Sequence, residues 1–302
     1  MTNRPRRMAA AAAVTLVALT GCAQPGAPAA APAGVDAATL LSTVLDQVYG
    51  TPQQRQAGQE RMWLTMQSAI AACALAKGVV YGVTPYQPMR PPTEPAPGDL
   101  LGFAPQRADF GVAARIEMLA RRGETPNPGL PAAADAQGGW FTTVESCQGA
   151  ATAGERLSVP DGQEELEAKL VDLLGQVQQQ VAPDLPGQYA NCMKTAGIDA
   201  GDLSEAYMKV EQKFPPVSFE SPSDPTALPE WADAVAFEKK VAAADWACRE
   251  SRVGEVIEAA AADLQQFTTT NATRLTQVAD GWNAMPGLAQ TLRVTIKTTT
   301  AK

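Results

Sequence analysis

The chain of 302 residues contains no histidine. That removes the commonest general base and the commonest metal ligand. Ser-His-Asp and Cys-His catalysis, HExxH zinc sites and cupin-like sites are therefore excluded. Past Cys22 no stretch stays apolar for the ~18 residues that a membrane-crossing helix requires. Basic charge is short as well: 24 Lys and Arg stand against 32 Asp and Glu, a net −8. Three of the arginines (Arg4, Arg6 and Arg7) precede Cys22 and no acid does, so the chain beyond it carries −11. So acidic a body is not expected to bind nucleic acid, whose affinity rests on neutralised phosphates, or an anionic membrane surface. The ordinary consequence of such charge is solubility. Strand signals are thin, with only VVYGV at 79–83 and VSF at 217–219 as short candidates. The 45% hydrophobic content overstates the core, because much of it is alanine.

What is present begins with an address. Arg4, Arg6 and Arg7 lead into an apolar run from Met8 to Leu19, interrupted only by Thr15. About a dozen residues are too few to span a ~30 Å hydrocarbon core but suit the apolar region of a signal peptide. The run closes on Leu19-Thr20-Gly21-Cys22, a lipobox. The expectation is removal of residues 1–21 and lipidation of Cys22, which would then be the only membrane attachment. The Arg6-Arg7 pair leaves Sec and twin-arginine export both open. Residues 23–34, AQPGAPAAAPAG, hold no large apolar side chain and should form a semi-extended tether, with the body starting near residue 36.

The body reads as mainly α. Asp36 can cap a helix with stripe Leu41, Val44, Leu45 and Val48, stopped by Gly50. Thr51-Pro52 opens a longer helix through Met62, Met66, Ile70 and Cys73, ended by Gly78. These two should form an antiparallel pair. Residues 82–107 are a proline-rich irregular excursion with isolated aromatics, Tyr86 and Phe103. Val112, Ile116 and Leu119 mark a weaker helix, and a second loop passage leads to Trp140 and a short helix bearing Val144 and Cys147. Asp161 should cap the next long helix, with stripe Leu166, Leu170, Leu173, Val177 and Val181. Further helices carry Tyr189, Cys192 and Met193, then Leu203 to Phe214. From Trp231 the helical pattern runs through Cys248 to Trp282, with Pro286 as its end.

Four cysteines lie beyond Cys22: Cys73, Cys147, Cys192 and Cys248. An even number in an exported chain implies two disulfides, and four cysteines allow three pairings. Their wide spacing fits no CxxC redox or metal motif. Cys73 opens CALAKG and Cys192 opens CMKTAG, both Cys-x4-Gly at a helix end behind a longer helix. Each is followed by loop-rich chain and a helix with Trp ahead of a second cysteine, Trp140 to Cys147 and Trp246 to Cys248. The chain therefore reads as two copies of one helical unit, 36–157 and 158–251, followed by an amphipathic C-terminal helix, 252–292, and a frayed tail, 293–302. On this reading Cys73 pairs with Cys147 and Cys192 with Cys248.

These residues resemble a family of actinobacterial secreted and lipid-anchored proteins that carry a Cys-Met-x3-Gly segment and a Val-Ala-x-Ala-Asp-x-x-Cys-Arg motif. Here Cys192-Met193 with Gly197 matches the first, VAAADWACR at 241–249 matches the second, and GWFTTVESC ends at the earlier Cys147. The first copy departs, with Ala74 where the family has Met. The resemblance covers residues 60–250 and implies an envelope lipoprotein with paired cysteines. It implies no activity, because the family has none assigned.

Candidate chemistry is sparse. Glu238 and Asp245 lie seven apart on one helix and could in principle serve acid–base work at a glycosidic bond. The competing expectation is that Asp245 braces a neighbouring helix while Glu238 is solvated beside lysines. The acidic run Glu164, Glu165 and Glu167 lacks the pattern of a calcium loop. Asn271-Ala272-Thr273 fits a glycosylation triplet but falls mid-helix. Tyr81, Tyr86, Phe103 and Phe110 could offer loop platforms for a ligand, whereas Trp63, Trp246 and Trp282 fall on helical stripes that suit a core. No pattern points to a metal or cofactor, and none marks a small-ligand carrier. The expectation is a non-enzymatic binding or scaffold module meeting a cell-wall or envelope-protein partner. The alternative is a His-free hydrolase of wall glycan.

Overall fold

A computed structural model of the chain describes residues 36–88, 103, 106–120, 127–149, 158–216 and 224–300. The expected signal peptide, Cys22, the tether and the VSF segment at 217–219 lie outside the described residues. Within them the protein is helical and has no strand; residues 79–83 run as irregular chain. The helices are α1 (Ala37–Tyr49), α2 (Pro52–Ala76), α3 (Val112–Ala120), α4 (Ala134–Ser146) and α5 (Gln163–Val181). They continue with α6 (Leu185–Thr195), α7 (Leu203–Lys213), α8 (Trp231–Ala259), α9 (Ala261–Thr270) and α10 (Ala272–Thr300).

The first two helices start and stop as their caps dictate. The Asp36 carboxylate accepts from the Thr39 N–H at 2.9 Å, and Gly50 ends α1 at φ 68°. Thr51 and Gln54 form a reciprocal capping box, with Pro52 in the first turn. The pair nevertheless does not fold into a hairpin. α2 lies along α10, while α1 packs on α5, α8, α9 and α10. Gln54 meets Asn283 and Glu60 meets Arg293, so contacts advance in the same direction along α2 and α10 and the two run parallel. The reason sits at the corner between α1 and α2. The Trp282 indole N–H donates to the Val48 carbonyl at 3.0 Å, and its ring fills the space that a side chain at Gly50 would need.

Four further expectations are corrected. Asp161 is not the cap of α5; Gly162, at φ 87°, takes that position with no side-chain hydrogen bond. Pro286 does not end the last helix, which continues to Thr300. A proline inside a helix costs about 3 kcal/mol, but Met285 and Ala289 on either side of it are fully buried in the core. Asn271 is not mid-helix. It joins α9 to α10, its amide donating to the Phe267 carbonyl at 2.9 Å. The boundary expected at residue 251 falls inside α8, which runs unbroken to Ala259.

The interior divides into three clusters. The first joins α1, α5, the end of α8, α9 and α10, with Leu166, Leu170, Leu264 and Met285 among its fully buried side chains. Leu174 rather than Leu173 completes the α5 stripe, and Val181 is exposed. The second joins α3, α6, α7 and the first half of α8 around Met193, Val210 and Val241. The third is a small cap of Ile70, Ala74 and Cys147 over the first disulfide. α8 is the shared strut, belonging to the second cluster at Trp231–Ala242 and to the first at Val253 and Val256.

Candidate functional site

The two disulfides join Cys73 to Cys147 and Cys192 to Cys248, closing separations of 74 and 56 residues. Loops of that size stabilise by about 4 kcal/mol each on the chain-entropy model. Paired cysteines of this kind fit a chain that matures in an oxidising, extracytoplasmic compartment. No helix among the described residues is long and apolar enough to cross a membrane.

The two Cys-x4-Gly segments that the sequence reads as copies share one local geometry. Gly78 and Gly197 adopt φ 75° and 78°. In the first copy Val79 N–H bonds the Ala74 carbonyl and Gly78 N–H bonds that of Leu75; in the second, Ile198 bonds Met193 and Gly197 bonds Lys194. Each is a glycine-closed helix end of the same register, starting one residue after its cysteine. The copies differ three residues before each cysteine. In the first copy those positions are Ile70 and Val144, which pack together in the apolar cap. In the second they are Tyr189 and Asp245, and the Tyr189 hydroxyl donates to Asp245 Oδ1 at 3.1 Å.

That polar replacement is the centre of a buried network. Arg249 Nε donates to Asp245 Oδ2 at 2.9 Å, and both side chains are almost wholly buried. The Arg249 guanidinium also lies 4.9 Å from the Trp246 ring centroid, a cation–π contact. Burial, then the Asp245 charge, pushes the Tyr189 hydroxyl far above the ordinary tyrosine range, so it stays protonated and keeps donating. A buried ion pair is weak evidence for net stability, but breaking one by removing a partner costs about 3–5 kcal/mol.

Beside this network lies a cavity of about 170 Å³. Its walls come from Leu185 and Tyr189 on α6, Leu203 on α7, Arg249 and Val253 on α8, and Phe103. Phe103, Leu185 and Val253 belong to the first cluster, whereas Tyr189 and Leu203 pack in the second. The cavity therefore opens at the seam between two cores, where α8 passes from one to the other. Gln178 and Asp202 add polar groups, and Asp202 is exposed while its Oδ1 caps α7 through the Glu205 N–H at 2.8 Å.

Glu238 is not solvated beside lysines. It is 1% exposed, and its carboxylate accepts from the backbone N–H groups of Phe110, Val112 and Ala113 at 3.0, 2.8 and 3.2 Å. It thus caps the N-terminus of α3 from across the core, satisfying donors that open every helix. Burial raises its pKa above the usual carboxylate range, against the lowering effect of those N–H groups, and Asp109 adds to the rise. Asp245 does brace a neighbour, joining α8 to α6 through Tyr189.

The aromatic platforms expected in the loops face inward. Phe103 and Phe110 are buried, and the Tyr86 hydroxyl donates to Gln59. Tyr81 stacks on Trp140 and donates to Gln67. Trp282 is in the core as its stripe implied, while Trp63 is half-buried with its N–H on the Thr84 carbonyl. Among the described residues no group of three or more Cys, Asp or Glu is placed to hold a metal. Sequence reasoning missed Tyr189, Arg249 and Asp202 as cavity residues. The available signal was the Tyr–Asp pair standing at the offsets held by Ile and Val in the other copy.

No family model matches the chain, and no curated protein or solved structure matches it.

Proposed function

We propose that this chain is a cell-envelope lipoprotein, anchored through lipid on Cys22 to the outer face of the cell membrane. Its folded body is a non-enzymatic binding or scaffold module. The supporting observation is the state of Glu238 and Asp245, the carboxylates that a His-free hydrolase would use: both are held by internal donors on different helices. The competing hydrolase would have to break both networks before acting. The cavity between the cores, walled mainly by apolar side chains with a few polar groups, has the character of a binding site.

The test has two readouts. Labelled palmitate should enter the wild-type chain and not Cys22→Ala, which should leave the membrane fraction. Asp245→Ala and Glu238→Ala should each lower the unfolding temperature. A hydrolase would instead lose wall-glycan cleavage in both variants at unchanged stability, and that result would overturn the proposal.

A further inference from the structure

The cavity at the seam of the two cores carries a more specific reading, which rests on the body being a binding module. We infer that it takes a small, mostly apolar aromatic molecule that bears one N–H, O–H or ammonium donor and no negative charge.

Size comes first. A dry engineered cavity of about 150 Å³ lined by aliphatic and aromatic side chains binds benzene. At about 170 Å³ the present one suits a molecule between benzene and indole. Leu185, Leu203, Val253 and the Phe103 ring supply apolar walls for its body. Phe103 and Tyr189 place two aromatic side chains in the lining, which favours an aromatic occupant.

Polarity sets the rest. The Tyr189 hydroxyl spends its proton on Asp245, which leaves its oxygen an acceptor. Asp202 presents a carboxylate at the exposed side, and Gln178 an amide. The positive charge of Arg249 is already met by Asp245 at 2.9 Å. An anion entering here would face Asp202 with no uncompensated cation, on a body carrying −11. A donor group, neutral or cationic, meets acceptors instead. At the positions equivalent to Tyr189 and Asp245 the first copy carries Ile70 and Val144, which belong to an apolar cluster.

The experiment uses the purified full chain and three probes of one ring system: indole, tryptamine and indole-3-acetate. Saturation-transfer NMR titrations should give saturable binding of indole and tryptamine in the range of about 10 μM to 1 mM, as ligands this small allow. Indole-3-acetate should bind at least tenfold more weakly than tryptamine. Leu203→Trp, at the partly exposed wall, and Val253→Phe, at the buried one, should each weaken indole at least tenfold while the far-ultraviolet circular dichroism is retained. Leu203→Trp keeps the test decisive if the buried variant fails to fold. Absence of saturable binding, binding that survives both fillings, or a preference for indole-3-acetate would overturn the inference. None of these results would alter palmitate labelling at Cys22 or the stability losses of the carboxylate variants, so the two readings fail separately.

Discussion

Replacing Glu238 by alanine and by glutamine separates the two things its carboxylate does. Alanine removes the acceptor of three backbone N–H groups at the start of α3, two of them on buried residues. Buried donors left unsatisfied cost about 1–3 kcal/mol each, and relaxation and water entry at the half-buried Ala113 recover part of that. The expected loss is about 3–5 kcal/mol. For a chain of this size that corresponds to roughly 6–20 °C in Tm. Glutamine keeps an oxygen for Phe110 and Val112, which share Oε1, and turns only the longer Ala113 bond into a donor facing a donor. It also removes the desolvated charge. Its expected cost at neutral pH is therefore below about 1 kcal/mol.

The pH dependence follows from the direction of the Glu238 shift. Burial raises the folded-state pKa above the unfolded one, so in the window between them the native state holds a proton that the unfolded chain has released. Wild-type stability should then fall as pH rises from about 4.5 through that window and level off above it. Glu238→Gln should lack this slope. Urea unfolding followed by circular dichroism, at several pH values from 4.5 to 7.5, measures both effects. A glutamine variant as damaged as the alanine one, or a wild-type advantage over glutamine that grows with pH, would refute the reasoning.

Two other substitutions probe the frame. Gly50→Ala forces a side chain to φ 68° and places its Cβ 2.6 Å from the Trp282 ring, so strain and overpacking together should cost about 2–4 kcal/mol; a urea midpoint within error of wild type would contradict that corner geometry. Removing either disulfide by paired alanine substitution should cost up to about 4 kcal/mol. Because the closed separations of 74 and 56 residues enter only as logarithms, the two losses should agree to within a few tenths. A large inequality in matched denaturation curves would assign the difference to native-state packing rather than chain entropy.

Local signals were legible and long-range ones were not. Asp36, Thr51, Gly78 and Gly197 announce their helix ends because a cap is a matter of a few neighbouring residues. The cysteine pairing was readable because the Cys-x4-Gly ends repeat. Partner choice was hidden: nothing near Val48 or Gly50 says that Trp282, more than 230 residues on, will close the corner and draw α2 onto α10. Pro286 misled for a related reason, since its intrinsic penalty is local while the burial of Met285 and Ala289 is tertiary. Glu238 misled because a charged residue among lysines normally points outward, and its three partners lie more than 120 residues earlier. Of the cavity, Arg249 stands in a motif legible in the sequence, but its other walls come together only when the two cores meet.

The placement of α1 has a consequence for how the protein is made. Its buried face, Leu41, Val44 and Val48, rests on helices that begin at residue 163 and end beyond residue 289. A nascent chain therefore carries this apolar stripe without its full set of partners until α10 has been synthesised. Contacts spanning such long loops form slowly, and unpaired apolar surface in the interval invites aggregation or chaperone capture. The same delay keeps the polypeptide free of its completed first core while it is still being extended, a state that can be threaded end-on through a narrow channel. Deleting α10 should lengthen that state indefinitely, leaving an unfinished core even in a chain whose two disulfides have already closed.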